Sequence, residues 1–408
     1  MKVLLVTQYY PPEPVPIPSE LAHALAERGH SVRVITGYPN YPTGSLYPGY
    51  RPRRRHREWD GDVRVRRVRL VLDHSDRLVR RLANYASFAM TSVFARREAR
   101  GADVIYVYAT QMTAALGPWL WSFAGGAPYV LHVQDLWPDS ITGSSIVGGG
   151  KVSRLIDAML TPWLRSVYRR AAAVIAIAPT MRKTLIERGA RAAATHLVYN
   201  WAESAPQTTR IDASSPDGAV LTRVVYAGNV GDMQDLETVV RAAHSAAHAG
   251  IVLAIVGDGV ARPRLRDLVA ELGCRNVVFE DPVPREEMAG VYQRADFGLV
   301  TLKDLPAFCG TIPSKLQAVL ASGLPVITTV PGDVRKLVEE RGCGLVAEAG
   351  RPDSLANALR LAASAGVAQR RRMALQALST YESLFSRVSG LAELESVLKS
   401  AIRERGKR

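Results

Sequence analysis

The run Thr311-Ile312-Pro313-Ser314-Lys315-Leu316-Gln317-Ala318-Val319-Leu320-Ala321-Ser322-Gly323-Leu324-Pro325-Val326-Ile327 gathers residue types that can hold phosphate oxygens. Pro313 suits the opening turn of a helix, Gly323 its stop, and Pro325 to Thr328 the start of a buried strand. A helix N-terminus presents N–H groups without intrahelical partners and a partial positive charge. Lys315 adds a full charge there, beside Ser314 and close after Thr311. The chemistry expected of this run is the grip of a diphosphate. The competing reading is an ordinary α/β helix with a Gly-Pro break behind it.

A second candidate is a carboxylate. His132-Val133-Gln134-Asp135-Leu136-Trp137-Pro138-Asp139 closes a buried strand and enters a loop. Period-two alternation puts His132 and Gln134 on one face and Asp135 where the strand gives way. A carboxylate at the end of a strand can orient a hydroxyl or accept its proton. It can equally cap the following turn, with Trp137 filling the core; His132 reads as a core histidine. Asp60-Gly61-Asp62 has the D-x-D form of a metal site, but it sits among arginines before the basic strand Val63 to Leu70 and reads as a hairpin turn. No other His, Cys or carboxylate grouping has metal-ligand spacing.

The elements that must carry these residues form two series. Val3 to Val6, Ser31 to Thr36, Asp103 to Tyr108, Tyr129 to Val133 and Ala173 to Ile177 are short apolar runs of the buried parallel-strand kind, separated by helical stretches such as Ser19 to Glu27. Turn formers then dominate residues 204–218, which read as a linker. The alternation restarts at Arg223 to Gly228, with a helix over Asp235 to Ala249 and strands at Ile251 to Val256, Asn276 to Phe279, Asp296 to Thr301 and Pro325 to Thr328. Two doubly wound α/β units follow: residues 1–203 and 219–368, with an amphipathic helical stretch in 369–408.

With 408 residues the chain is too long for one ordinary core. Hydrophobic residues make up 47% and charged ones 22%, the balance of a folded domain rather than a disordered one. The three cysteines, Cys274, Cys309 and Cys343, form neither a disulfide framework nor a zinc pattern, which predicts a reducing cytoplasm. No signal peptide is expected, and the most apolar stretch, Ala114 to Val133, is broken by proline and glycine before it reaches the about 20 residues of a membrane span. The net charge of +14 is concentrated: residues 51–100 carry fifteen arginines against six acids. Such a block suits an anionic membrane surface or an acidic partner, or is a solvated face. Interleaved aromatics of a strand-binding groove are missing, so no nucleic acid is expected.

The phosphate-type run resembles the P-S-K…A-A-G-K-P-V-I segment of retaining GT-B glycosyltransferases of family four. Other segments extend the likeness: Gln8-Tyr9-Tyr10-Pro11-Pro12-Glu13-Pro14, Glu27-Arg28-Gly29-His30-Ser31-Val32, Gly37-Tyr38-Pro39-Asn40-Tyr41-Pro42-Thr43-Gly44, the Asp135-Leu136-Trp137-Pro138 signature, and Gly228-Asn229-Val230-Gly231-Asp232-Met233-Gln234. These resemble the WbuB-like, fucosamine-transferase-like subgroup that builds bacterial surface polysaccharides. The resemblance implies a GT-B fold, two facing Rossmann-like domains with a cleft between them, and a C-terminal helix crossing back to the first domain.

By the same resemblance, Lys315 and Asp135 are the catalytic candidates. Gly228, Asn229, Gln234, Gly257, Thr311, Ser314 and Lys315 would bind the donor, a nucleotide sugar that the family resemblance implies is UDP-linked. The acceptor implied is a lipid-linked sugar, with no metal or other cofactor, at the cytoplasmic face of the membrane and with residues 51–100 on anionic lipid. Departures are visible. Asn229 and a neutral residue near Gln234 replace the family's arginine and lysine, Pro14 is followed by Val15 rather than glycine, and Gly310 and Ala318 stand where relatives carry a glutamate pair. Two alternatives stay open on the residues alone: a nucleotide-sugar epimerase on the same fold, and a non-catalytic basic polyanion-binding protein.

Overall fold

The computed structural model describes residues 1–53, 56–73, 78–139, 151–201, 221–305 and 308–405. The expected linker at 204–218, and Arg54 and Arg55 of the basic run, lie outside the described residues. The chain divides into two compact units, Met1–Asn200 with Leu391–Arg408, and Trp201–Gly390.

The first unit is built on eight strands: β1 (Lys2–Thr7), β2 (Ser31–Gly37), β3 (His56–Asp60), β4 (Val63–Val68), β5 (Val104–Ala109), β6 (Tyr129–Val133), β7 (Ala173–Ala176) and β8 (Thr195–Leu197). Their order is β3-β4-β2-β1-β5-β6-β7-β8. All neighbours run parallel except β3 and β4, which form a hairpin closed by Gly61 at φ 57° and Asp62, the turn expected there. Covered on both faces, β5 and β6 are buried along their whole length, which is why they read as unbroken apolar runs. The strand order reverses between β1 and β5, so a crevice is expected beyond their C-terminal ends.

The first helix begins at Pro16, three residues before the expected start, because a proline costs no hydrogen bond in an opening turn. The C-terminal amphipathic stretch is not one helix. Val367–Thr380 passes through a π turn at Tyr381–Phe385, and extended Ser386 precedes a new helix, Arg387–Arg405. Glu395 of that last helix accepts from Arg28 and lies 3.0 Å from His30 Nε2. The Arg-Gly-His segment thus helps to hold the C-terminal helix against the first unit. Hydrogen bonds from Lys399, His30 and Arg28 keep the Glu395 carboxyl down at about 2.

Much of the arginine block also serves the fold. Arg57, Arg64 and Arg66 share the buried Glu98 at 2.5, 3.1 and 3.4 Å. Arg67 is only 2% exposed and donates to Glu58, Gly37, Pro11 and Tyr50.

The second unit carries six strands: β9 (Thr222–Ala227), β10 (Ile251–Val256), β11 (Val277–Glu280), β12 (Phe297–Val300), β13 (Val326–Thr328) and β14 (Gly344–Val346). They are ordered β11-β10-β9-β12-β13-β14 and all pair in parallel. Val224, Tyr226, Leu253, Ile255, Phe297, Leu299 and Ile327 belong to its core, each such aliphatic side chain contributing about 1.5–3 kcal/mol on burial. The switch of strand order falls between β9 and β12. Gly298 on β12 lets the helix Ser314–Ala321 lie close on the sheet, since a Cβ there would stand 2.5 Å from Val319 Cγ1. That contact aims the start of the helix at the switch point.

Candidate functional site

Lys315 is the second residue of the helix Ser314–Ala321. Its Nζ donates to the Tyr226 hydroxyl, to Gln234 Oε1 at 3.0 Å and to the Asn229 carbonyl at 3.3 Å. It also lies 4.3 Å from the centroid of the Tyr226 ring. An ammonium has three N–H donors, and all three face neutral oxygens. Burial of this charge lowers the lysine to about 8. A cation without a carboxylate partner among the described residues, set at the start of a helix, is suited to an anionic ligand.

Gly228 makes that approach possible. Its φ is +127°, and a Cβ there would fall 2.6 Å from Lys315 Cε. Gly257 supports it from below: it is buried, and a Cβ would stand 2.1 Å from the Gly228 carbonyl oxygen. Ser314 is exposed at the first position of the helix, and Thr311 is half-buried ahead of it, its N–H donating to the Phe308 carbonyl at 3.1 Å. Pro313 is not in the opening turn as expected. It is the residue before the helix, extended at φ −66° and ψ 141°, and its carbonyl accepts the Leu316 N–H at 3.0 Å; a residue in the capping position takes this extended backbone while its carbonyl starts the ladder.

The structure therefore brings Gly228, Asn229, Gln234 and Lys315 together, with Gly257 beneath and Ser314 at the same helix start. Asn229 and Gln234 each offer Lys315 an oxygen, so they position the ammonium as well as presenting amides. Tyr226 was not singled out by the sequence. Its place one residue inside the end of β9, with only Ala227 before Gly228, is the signal that could have found it.

Asp135 belongs to the other unit. It follows β6, is exposed, and among the described residues its carboxylate accepts no hydrogen bond, so it does not cap the next turn. It lines a cavity of about 370 Å³ together with Tyr9, Tyr41, Tyr85, Thr110 and Gln111. Partial desolvation by these walls raises its carboxyl above the ordinary value. Tyr9 and Tyr41 rings lie 5.2 Å apart, giving the cavity aromatic walls of the kind that pack on a sugar ring.

The loops around this cavity are fixed by buried polar groups. Glu13, only 4% exposed, accepts the N–H groups of Asn40 and Tyr41 at 2.9 Å each and that of Tyr10 at 3.1 Å, tying the loop after β1 to the loop after β2. Beneath them Gln8, Asn84 and Gln111 form a buried network. His132 is a core residue: Tyr106 Oη lies 2.6 Å from its Nδ1, and burial lowers it to about 3. Trp137 also fills the core, 6.0 Å from the Tyr85 ring. Among the described residues no group of three or more His, Cys, Asp or Glu could hold a metal ion, and Asp60 instead accepts from Tyr10 at 2.9 Å and lies 3.0 Å from His23. No described helix is long and apolar enough to cross a membrane.

Two Rossmann-like units, each with candidate residues at its strand-order switch, make up the GT-B fold. Solved structures share it. Sucrose-phosphate synthase from Thermosynechococcus elongatus matches with a TM-score of 0.67 at 17% identity, over 99% of this chain and 100% of that one. HepE from Anabaena, solved with UDP and glucose, matches with a TM-score of 0.61 at 17% identity, over 98% and 100%.

The sequence carries the family. Residues 16–201 match the glycosyl transferase 4-like domain and residues 222–364 match glycosyl transferases group 1. WcaI of Escherichia coli (strain K12), a glycosyl transferase assigned to colanic acid biosynthesis, is 32% identical over 347 residues, 81% of this chain and 83% of WcaI. The chain belongs to this glycosyltransferase family, and it is an enzyme of that class. Membership sets aside the epimerase and the non-catalytic polyanion binder.

Proposed function

We propose that the protein transfers a sugar from a UDP-linked donor to a lipid-linked sugar during the synthesis of a bacterial surface polysaccharide. The observation that carries this reading is the Lys315 ammonium, held by Tyr226, Gln234 and Asn229 at the start of a helix with no carboxylate against it among the described residues. The fold shared with HepE, which holds UDP and glucose, supports the donor class, and the relation to WcaI supports a polysaccharide product. The Gly228–Gln234 and Asp135–Pro138 segments motivate the finer reading of a WbuB-like, fucosamine-transferase-like enzyme.

In this scheme an acceptor hydroxyl attacks the anomeric carbon as the bond to the diphosphate oxygen breaks, and UDP leaves. Lys315 and the N–H groups at Ser314 and its neighbours stabilise the charge that gathers on the leaving diphosphate, usually the largest catalytic contribution. Gly228 lets the backbone come close, while Asn229 and Gln234 orient the lysine. Asp135 orients the acceptor hydroxyl or takes its proton, in a cavity whose aromatic walls suit a sugar. Retention of anomeric configuration is part of the proposal.

Contact with the cytoplasmic face of an anionic membrane through residues 51–100 completes it. Support comes from exposed arginines, Arg51, Arg53, Arg80, Arg96 and Arg97, and from exposed Val79, Met90 and Phe94 in the same segment of the chain. Each such charge contributes about 1 kcal/mol near anionic lipid.

The test is transfer of labelled sugar from a panel of nucleotide sugars into a lipid extract of bacterial membranes. Label moving from a UDP-sugar into the organic phase, with matching UDP release, is the expected result. Transfer only from donors with another base would reject the UDP assignment, and label that stays water-soluble would reject the lipid acceptor.

A further inference from the structure

A second cavity in the first unit, about 350 Å³, is lined by Tyr129, the first residue of β6, and by Ala172, just before β7. It thus lies at the opposite end of these strands from Asp135. Arg169, Arg170, Arg191 and Arg405 border it, against one carboxylate, Glu404.

The guanidiniums are held in place by neutral groups. Arg170 Nε donates to Ser122 Oγ at 3.0 Å and its Nη2 to the Ser122 carbonyl at 3.3 Å, while its Cζ stands 3.7 Å from the Phe123 ring centroid. Arg191 Nη2 donates to the carbonyls of Ala171 and Ala172 at 3.1 and 2.9 Å, and its buried Nε has no partner. Arg405 Nη2 donates to the Gly125 carbonyl at 3.3 Å. None of these acceptors carries charge. Elsewhere in the same unit Arg57, Arg64 and Arg66 instead donate to a carboxylate, that of Glu98. Guanidiniums that donate to neutral groups around a small cavity, Arg170 and Arg405 of them exposed to solvent, are suited to phosphate, whose oxygens match their paired donors. The volume is that of a small-ligand site.

We propose that this cavity binds a phosphate-bearing anion, with Arg170, Arg191 and Arg405 as its principal ligands. Arg405 comes from the helix Arg387–Arg405 and the others from the β6–β8 region, so the anion would fasten the end of that helix to the sheet edge. The phosphate belongs either to a soluble molecule or to a lipid headgroup.

The test is titration calorimetry of inorganic pyrophosphate into the full chain carrying Lys315→Ala, which silences the phosphate seat of the other unit. The same chain is floated on vesicles of phosphatidylglycerol and phosphatidylcholine. Arg405→Gln and Arg170→Gln are then added singly, with melting temperatures checked. Saturable pyrophosphate binding weakened at least tenfold by both substitutions supports the site with a soluble ligand. Vesicle binding weakened by both, without pyrophosphate binding, supports it with a lipid headgroup. Binding that neither substitution alters, or no binding to either probe, overturns it. The proposed donor reading is untouched by that failure, because UDP binding to the unsubstituted chain depends on Lys315.

Discussion

The Lys315 ammonium stands 4.3 Å from the centroid of the Tyr226 ring and donates to the hydroxyl of the same residue. This joins the end of β9 to the first turn of the helix Ser314–Ala321, two elements that the strand-order switch places together. Burial sets the lysine at about 8, so the charge is present below that pH and lost above it. Affinity for UDP is therefore expected to fall as pH rises from 7.5 to 9.5, measured by calorimetry. Lys315→Arg, whose guanidinium stays charged, should show a flat profile. Stability moves the other way. The folded value lies below the unfolded one near 10.5, so between about 8 and 10.5 the folded chain binds fewer protons and this residue's contribution rises with pH. Lost binding in that window accompanied by a rising melting temperature would separate the two effects.

Tyr226→Phe keeps the ring and removes the hydroxyl that accepts from Lys315 and donates to the Asn229 carbonyl. The loss of one charge-assisted hydrogen bond is worth about 1.5–3 kcal/mol, so donor kcat/KM should fall roughly ten- to a hundredfold. Folding, followed by thermal melting, should change far less. Unchanged kinetics would make the hydroxyl a packing detail.

Asp135→Asn should lower kcat about a hundredfold while leaving the affinity for UDP as it is. The raised carboxyl of Asp135 adds a pH signature. Wild-type kcat should climb through a value raised above that of an ordinary aspartate, and the asparagine variant should lack that limb. A change confined to UDP affinity would argue against a role toward the acceptor.

His132, beneath the Asp135 site on β6, offers a test that reads stability rather than either site's chemistry. It is wholly buried and held at about 3, below the ordinary value of 6.5. The unfolded chain thus takes up a proton that the folded chain refuses, and stability falls as pH drops through 6.5 toward 3. Between pH 7.5 and 5 the loss from this residue is roughly 2 kcal/mol. Denaturant melts of the wild type and His132→Gln at the two pH values should show that difference shrinking in the variant.

What the sequence discloses follows the range of the interactions. β6 and β10 are legible to the residue, because Tyr129 to Val133 and Ile251 to Val256 are unbroken apolar runs bounded by turn formers. β14 is not, since Gly344-Leu345-Val346 is three residues long and only half-buried. Lys315 is legible as a candidate phosphate ligand from its own helix start. Its partnership with Tyr226 is not, since 89 residues separate them. Gln8 and Gln111 meet across 103 residues, and His30 meets Glu395 across 365. Composition misleads where burial decides: Arg67 belongs to a block that reads as surface, yet it is 2% exposed and organises four neighbours.

The most direct measurement is calorimetry of UDP against the wild type and Lys315→Ala at pH 7.5, with circular dichroism to establish that both are folded. The account predicts one UDP site in the wild type and an affinity at least thirtyfold weaker in the variant, about 2 kcal/mol. Equal affinity in two folded proteins would contradict it, because the diphosphate would then be held somewhere other than at Lys315.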